Sequence, residues 1–447
     1  MKIFYINVIE TNSGWGAECF VSRGFEKAGH EVVNLDFRKY RSRLSDIFLD
    51  IDDFDVLLLQ RGDYFPIELI NAVDRPKFFW ASEPVVSCRD HDNLLVPGLF
   101  DHVFVHTNRC RRIVTSDLKI LEPDKVSCLI NGFDENVQYW ISGSEKDIDV
   151  LFVGNMSARR RNILDRLSLK YNILQTKAYG TEMTELFNRA KIVLNLHTFD
   201  NLDTETRIFE GLGCGSFVIS ERLSADNPFT NGVHLVETES IDELEEKIGY
   251  YLLHEEEREA IANNGYNEAL ANHTYTARAI HIADVMGKYS SGVDKSVPAI
   301  NKNKVLEYIS GGKVLALGKS MILERIMKRL DDGVDEDYYL KLLIDMLNSN
   351  KYQLNELIAS ISHTKRKDQI LNNIAVQLFI SGSHRMVIPL LTRSFEINDA
   401  NMDTVYNIGF VLNEYGQKER ALDFLEKFKN TDEGISELIK KICNANT

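Results

Sequence analysis

The sequence predicts an α/β protein with two parallel-sheet domains in succession, followed by an all-α repeat domain. Three observations carry this. Short β-rich apolar runs alternate with amphipathic stretches through residues 1–142, the same rhythm restarts near residue 148, and β-rich runs largely disappear beyond Pro298. At 447 residues the chain exceeds one compact core and fits two or three ordinary domains.

In the first domain, placed at 1–142, strands are expected at 2–8, 31–35, 56–59, 77–80 and 102–106. A polar stretch at 142–147 separates it from the second domain, 143–290. That domain opens on a strand at 148–153 and continues with strands at 191–196 and 216–220 and a weaker run at 234–236. Its last helix is expected around 275–286, with hinges near 135–147 and 275–290. The stretch 289–298 has linker composition, and 300–447 should be helical.

Within that helical part, residues pair at a spacing of about 34, the tetratricopeptide period. Asn373 pairs with Asn407, Ile374 with Ile408, Gly382 with Gly416, and Leu391 with Leu425. One period earlier Leu340 and Asn348 fall at corresponding places, giving a degenerate third repeat, enough to bury a shared core. Helical hairpins also align at such a period by coincidence; the two matched turn glycines argue against it.

Composition narrows the function classes. With 52 basic and 67 acidic residues the formal charge is −15, which repels a bare phosphate backbone, so nucleic acid is not an expected partner. The six cysteines are scattered without a CxxC pairing and read as reduced thiols of a cytoplasmic protein. The N-terminal apolar run is one strand long, too short for a signal peptide, and no run reaches the roughly 20 apolar residues that span a bilayer.

The segment 193–220 carries the most chemistry: strand, polar loop, short helix, glycine turn, strand. Glu210 in the helix can accept two hydrogen bonds from the vicinal hydroxyls of a ribose, and Arg207, one turn earlier, shares its face. The loop and helix N-terminus offer N–H groups and a positive dipole end to a diphosphate. Taken alone, Arg207 and Glu210 equally fit an i,i+3 surface ion pair worth a few tenths of a kcal/mol. At the first strand–helix turn of the second domain, Gly154 lets the backbone approach a phosphate. Asn155 and one of Arg159 to Arg161, Arg159 and Arg161 foremost, could meet its charge there. The same arginines also fit a solvated helix start.

The stretch Glu210-Gly211-Leu212-Gly213-Cys214-Gly215-Ser216-Phe217-Val218-Ile219 resembles GT-B glycosyltransferases of the group 1 type. More narrowly, Asn195, His197, Arg207, Phe209, Glu210, Cys214 and Gly215 match the layout of the CgeB-like spore-maturation branch. Asp149 to Asn155 and His273 to Arg278 are similar to the same branch, and the likeness covers roughly residues 100–288. The resemblance implies two Rossmann-like domains (GT-B) closing on a nucleotide sugar, with Glu210 on the ribose and Gly154, Asn155 and an arginine near the diphosphate. One departure stands: many retaining members carry an acidic residue where this chain has Leu202, with Asp203 adjacent, so stereochemistry does not carry over.

In the first domain Gly14 and Gly16 form a GxG turn after strand one, without the third glycine of a dinucleotide fingerprint; a turn near sugar or diphosphate fits better than NAD. Glu83, at a strand end before Pro84, is a candidate acceptor-side general base, and equally a loop cap. His106 and His197 each end a strand and could bond donor hydroxyls or phosphate; each also fits a structural histidine. No Asp-x-Asp pair follows a strand: Asp147-Ile148-Asp149 precedes one and 50–53 reads as a surface loop. Neither a catalytic metal nor any other cofactor is therefore expected.

The reading is a metal-independent glycosyltransferase, moving sugar from a nucleoside-diphosphate sugar to a glycan or protein acceptor. The helical repeats are left for a protein partner or a homodimer contact. A non-catalytic degenerate scaffold binding a partner through those repeats is the alternative. An epimerase of the same double shape would need acid–base carboxylates and a histidine in both halves, which the sequence does not assign cleanly.

Overall fold

The computed structural model describes residues 1–51, 53–86, 90–198, 205–311, 317–348, 354–361 and 364–444. The chain forms two compact units. One holds Met1–Glu83, Gly98–Arg112 and Pro123–Val314; the other holds Pro84–Pro97, Ile113–Glu122 and Leu315–Thr447.

The first unit contains two parallel sheets with flanking helices, here called the first and second lobes. In the first lobe the strands are β1 (Lys2–Asn7), β2 (Glu31–Asp36), β3 (Val56–Gln60), β4 (Lys77–Ala81), β5 (His102–Val105) and β6 (Val126–Cys128). They lie in the order β2-β1-β3-β4-β5-β6. The second lobe has β7 (Ile148–Val153), β8 (Ile173–Thr176), β9 (Ala190–Asn195), β10 (Val218–Glu221) and β11 (Val236–Thr238), in the order β11-β10-β9-β7-β8.

Both sheets therefore place their second strand outside the first and their third on its other side. The order reverses between β1 and β3 in one lobe and between β7 and β9 in the other. In open α/β sheets a ligand crevice forms outside the strand C-termini at such a reversal. The central strands are legible because burial on both faces demands continuous apolar sequence: Ile3, Tyr5, Val56 and Leu58 are fully buried, as are Val150, Ile192 and Leu194.

Two strands escaped the sequence reading. β6 and β8 are short edge strands, and β8 exposes Leu174 and pairs on one side only, so no apolar run announces it.

The helix Tyr275–Ser290 differs from expectation. Read from sequence as the close of the second domain, it instead buries Tyr275, Ala279, Ile282 and Met286 in the core of the first lobe, against the helix Ala17–Lys27. The chain crosses between lobes twice, at 130–134 and 272–275, and the two crossings pair side by side. Phe133 N–H donates to the His273 carbonyl at 3.2 Å, and Tyr275 N–H donates to the Phe133 carbonyl at 2.8 Å. Arg278 clamps both, donating from Nε to the Ile130 carbonyl at 2.9 Å and from Nη1 to the Asn272 carbonyl at 2.9 Å. The helix Lys302–Gly311 also packs on first-lobe helices, so the helical unit begins later than residue 300.

The helical unit is built from hairpins. Lys367–Ile380 packs on Val387–Ile397, and Met402–Glu414 on Lys418–Leu425. Gly382 and Gly416 end the first helix of each hairpin with the same pair of bonds: Gly382 N–H to the Phe379 carbonyl at 3.1 Å and Gly416 N–H to the Asn413 carbonyl at 2.8 Å, with the next residue bonding the carbonyl five positions back, Ser383 to Leu378 and Gln417 to Leu412, each at 2.8 Å. Leu340, read from the sequence as part of a degenerate third repeat, is buried in the helix Glu336–Asn348. Two early segments join this unit. Asp90 takes a 2.6 Å ion pair from Lys319, and the Tyr338 hydroxyl donates to the Asp117 carboxylate at 2.6 Å. Among the described residues no helix is long and apolar enough to cross a membrane.

Candidate functional site

At the strand reversal of the second lobe, β7, β9 and β10 deliver a network of charged groups to one edge. The helix Ala158–Leu167 starts there, with the Ser157 hydroxyl accepting from Arg160 N–H at 3.2 Å as its N-cap. That start turns Arg160 inward. It is 6 % exposed and donates to the Leu196 carbonyl beyond β9 at 2.8 Å and to the Asn155 carbonyl beyond β7 at 3.0 Å. Its guanidinium also meets Glu205 at 3.1 Å and lies over the Phe152 ring. Arg160 thus ties the two strand ends that flank the crevice.

Arg159 makes a two-point pair with Glu221, at the end of β10, one contact at 2.8 Å, and donates to the His197 carbonyl at 3.1 Å. Arg161 is exposed on the outer side of the same helix. Gly154 donates to the Thr176 carbonyl at 3.1 Å, and Asn155 is exposed just past β7.

His197 is held on every side. Nε2 lies 2.9 Å from the Arg222 carbonyl, Nδ1 lies 3.4 Å from Glu205, and its backbone N–H donates to Glu221 at 2.7 Å. Burial by itself lowers its pKa, but the Glu205 bond and the Arg222 carbonyl outweigh burial and hold it above the ordinary histidine value. The ring has both nitrogens engaged by protein partners. Glu221 moves the other way: burial raises its pKa, and the bonds from Arg159 and the His197 N–H take it below the usual carboxylate value.

The helix Thr206–Gly213 begins at Glu205 and carries Arg207 and Glu210. Arg207 Nη1 meets Glu210 Oε2 at 2.8 Å, and the guanidinium also contacts Met183 and lies over Phe187, both on the helix Gly180–Arg189. The pair is recessed, with side chains 20 % and 15 % exposed, so it is not the surface pair the i,i+3 spacing alone allows. Burial pushes the Glu210 carboxyl pKa up, with Arg207 opposing. A shielded carboxylate beside one arginine can bond hydroxyls strongly, because water competes poorly there.

In the first lobe the equivalent reversal carries a pair the sequence reading missed. Arg61, just past β3, donates from Nε to Glu18 on the helix Ala17–Lys27, and Glu18 is fully buried. The Tyr5 hydroxyl donates to Gln60 beside it, and burial, then the Glu18 charge, push the Tyr5 pKa up. Gly14 and Gly16 lie in the turn before that helix, both with positive φ. Glu83 follows β4, half-buried, and its charge is felt by Arg61. His106 follows β5 and is buried. The candidate catalytic residues Glu83 and His106 therefore sit on one lobe and His197 on the other. Leu202 and Asp203 lie outside the described residues. Among the described residues no group of three or more His, Cys, Asp or Glu could hold a metal ion.

Arg61, Glu18, Glu205 and Glu221 had one signal in the sequence: a charge one or two positions past an apolar strand, or in the first turn of the following helix. Their partners could not be read off, since Glu18 and Arg61 are 43 residues apart and Arg159 and Glu221 are 62 apart.

Residues 144–284, which enclose this second-lobe site, match a family described as glycosyl transferase-like. An uncharacterized protein of Acanthamoeba polyphaga mimivirus is 36 % identical over 76 residues, 17 % of this chain and 26 % of that protein. The matched stretch thus spans about a quarter of that relative's length. Among solved structures, the Anabaena protein HepE in complex with UDP and glucose is similar at 13 % identity, covering 64 % of this chain and all of that one, with a TM-score of 0.48. Sucrose-phosphate synthase from Thermosynechococcus elongatus is similar at 10 % identity over 64 % of this chain and 98 % of that one, with a TM-score of 0.49.

Proposed function

We propose that this chain is a GT-B glycosyltransferase that moves a sugar from a nucleoside-diphosphate sugar to a glycan or protein acceptor without a metal ion. The observation that carries the reading is the recessed Arg207–Glu210 pair, inside the segment that matches the glycosyl transferase-like family and beside the strand reversal of the second lobe.

In this reading Glu210 accepts the ribose hydroxyls. The Gly154–Asn155 turn and the start of the helix at Ala158 receive the diphosphate, where N–H groups and a positive dipole end stabilise negative charge. Arg159 reaches the leaving diphosphate by exchanging one of its Glu221 contacts for a phosphate oxygen, and Glu221 then holds it in place. As the sugar bond breaks, charge builds on the diphosphate, and this donor set meets it without a cation. Arg160, Glu205 and His197 position the strand ends rather than react. The acceptor lies on the first lobe, with Glu83 or His106 as the base that takes its hydroxyl proton. Crossings at 130–134 and 272–275 form the hinge about which the lobes close and exclude water. The helical unit has a cavity of about 400 Å³ lined by Glu336, Asp337, Asn372, Asn373, Gln377 and Tyr406, which suits a polar partner.

Calorimetry with UDP, GDP, dTDP and CDP, with EDTA present throughout, tests this. One nucleoside diphosphate should bind wild type, and Glu210→Ala should weaken it at least about a hundredfold, the scale of two lost hydrogen bonds to a charged group. No binding by any of the four, or equal binding by Glu210→Ala, would sink the reading; binding that returns only on adding Mg²⁺ or Mn²⁺ would sink its metal independence.

A further inference from the structure

Trp15 lies on the turn that joins β1 to the helix Ala17–Lys27 in the first lobe, yet its indole rests on the second lobe. Its seat is Gly180, the first residue of the helix Gly180–Arg189, where a Cβ would fall 2.7 Å from the ring. Gly180 has φ +57°, so both its conformation and its missing side chain suit this contact. Trp15 as a whole remains 43 % exposed, so the contact covers only part of it.

The turn is built to hold the ring there. Asn12 N–H bonds the Val8 carbonyl, Gly14 N–H the Ile9 carbonyl and Trp15 N–H the Asn12 carbonyl, all at 2.9–3.1 Å. Thr11 is tied to Asp36 through its hydroxyl at 2.8 Å. Ser13, Gly14 and Gly16 all carry positive φ, a conformation that costs energy in non-glycine residues and persists where surrounding contacts over-determine it. Trp15 is therefore presented at a fixed angle.

The helix under the ring leads to the recessed pair. One turn beyond Gly180, Met183 contacts Arg207, and a further turn on, Phe187 lies beneath the Arg207 guanidinium. The same helix is tied to the inter-lobe connection, with the Thr184 hydroxyl donating to the Val137 carbonyl at 2.6 Å and Asn188 donating to the Tyr139 carbonyl at 2.9 Å.

We propose that Trp15 is a positioning residue of the nucleotide site, a first-lobe latch that seats on Gly180 and fixes the helix walling Arg207 and Glu210. The latch itself stands on the inter-lobe contact. Its effect on nucleotide rests on the donor reading above. A nucleoside diphosphate held by Arg207–Glu210 favours the seated state, because only there is the wall behind the pair rigid. Nucleotide release then requires the indole to lift.

The test uses the full chain in two arms. In the ligand-free arm, hydrogen exchange of residues 180–187 is compared between wild type, Trp15→Ala and Trp15→Phe. Trp15→Ala should speed exchange of that helix about tenfold while leaving β7 and β9 unchanged, and Trp15→Phe should restore much of the protection. Unchanged exchange in Trp15→Ala overturns the latch whether or not any nucleotide binds. In the second arm, 5-fluorotryptophan labels the three tryptophans, and UDP, GDP, dTDP and CDP are added. The nucleotide that binds should shift the Trp15 resonance, and Trp15→Ala should release it about tenfold faster. Gly180→Ala, which pushes the ring off its seat and also strains a φ of +57°, should release the nucleotide at least as fast as Trp15→Ala. Binding with an unmoved Trp15 resonance, or release unchanged in Trp15→Ala, overturns the coupling. Absence of binding by wild type removes the donor reading while the exchange arm still decides the latch.

Discussion

The two lobes share one strand order, and each puts an arginine and a glutamate at its strand reversal, yet the pairs are set differently. In the first lobe Glu18 is fully buried beneath its own helix, with Arg61 folded back on it. In the second lobe Arg159 and Glu221 are 34 % and 16 % exposed, and Arg160 alone is buried among carbonyls. The same topology thus supports a sealed pair in one lobe and a half-open network in the other. Exposure of the charged groups, more than their identity, separates the two.

The largest effect that would break this contrast is expected at Arg160. Arg160→Ala strips the Leu196 and Asn155 carbonyls of their donor and leaves Glu205 with His197 alone, so urea denaturation should record a loss of about 3–5 kcal/mol. A loss below about 1 kcal/mol would mean that the strand ends hold without it. Next comes Glu18→Gln, which leaves the largely buried Arg61 without its charge partner and should cost about 2 kcal/mol. It should leave nucleotide affinity in the second lobe within about twofold, a difference inside ordinary error of additivity. A large affinity loss would show that the sealed pair serves the ligand as well.

The smallest effect is a pH dependence of opposite sign at two histidines. In His197 the folded pKa is raised, so its contribution to stability is fully present below about 6.5 and is lost as pH rises through the folded value. His273 is lowered, by burial first and then by the Arg278 charge; the unfolded chain binds that proton more readily, so stability falls as pH drops below about 6.5. His197→Asn should flatten the slope of stability above pH 6.5, and His273→Asn the slope below it. Matching slopes in both variants would contradict the assigned partners.

Much of the fold was legible because central parallel strands must be apolar, as at Val56–Gln60 and Ile148–Val153. What an amphipathic pattern does not state is its destination. Tyr275–Ser290 announces an apolar face, but only the tertiary arrangement sends that face to the first sheet. For the site, Arg207 and Glu210 were legible because local spacing sets them on one helix face. Glu205, Glu221, Glu18 and Arg61 were not, since their meaning lies in partners brought together by strand order. The segments 84–97 and 113–122 posed the same problem in larger form, with their packing partners beyond residue 315.

That last arrangement bears on how the chain is made. Segments 84–97 and 113–122 leave the ribosome well before Lys319, Arg329 and Tyr338, the residues that engage Asp90 and Asp117. The gap is roughly 200 residues, on the order of ten seconds or more of synthesis. During that interval Pro84–Pro97 and Ile113–Glu122 await the later residues of their own unit. The helical unit therefore cannot be cut away at the linker as a self-contained module, because Pro84–Pro97 and Ile113–Glu122 belong to the same compact unit.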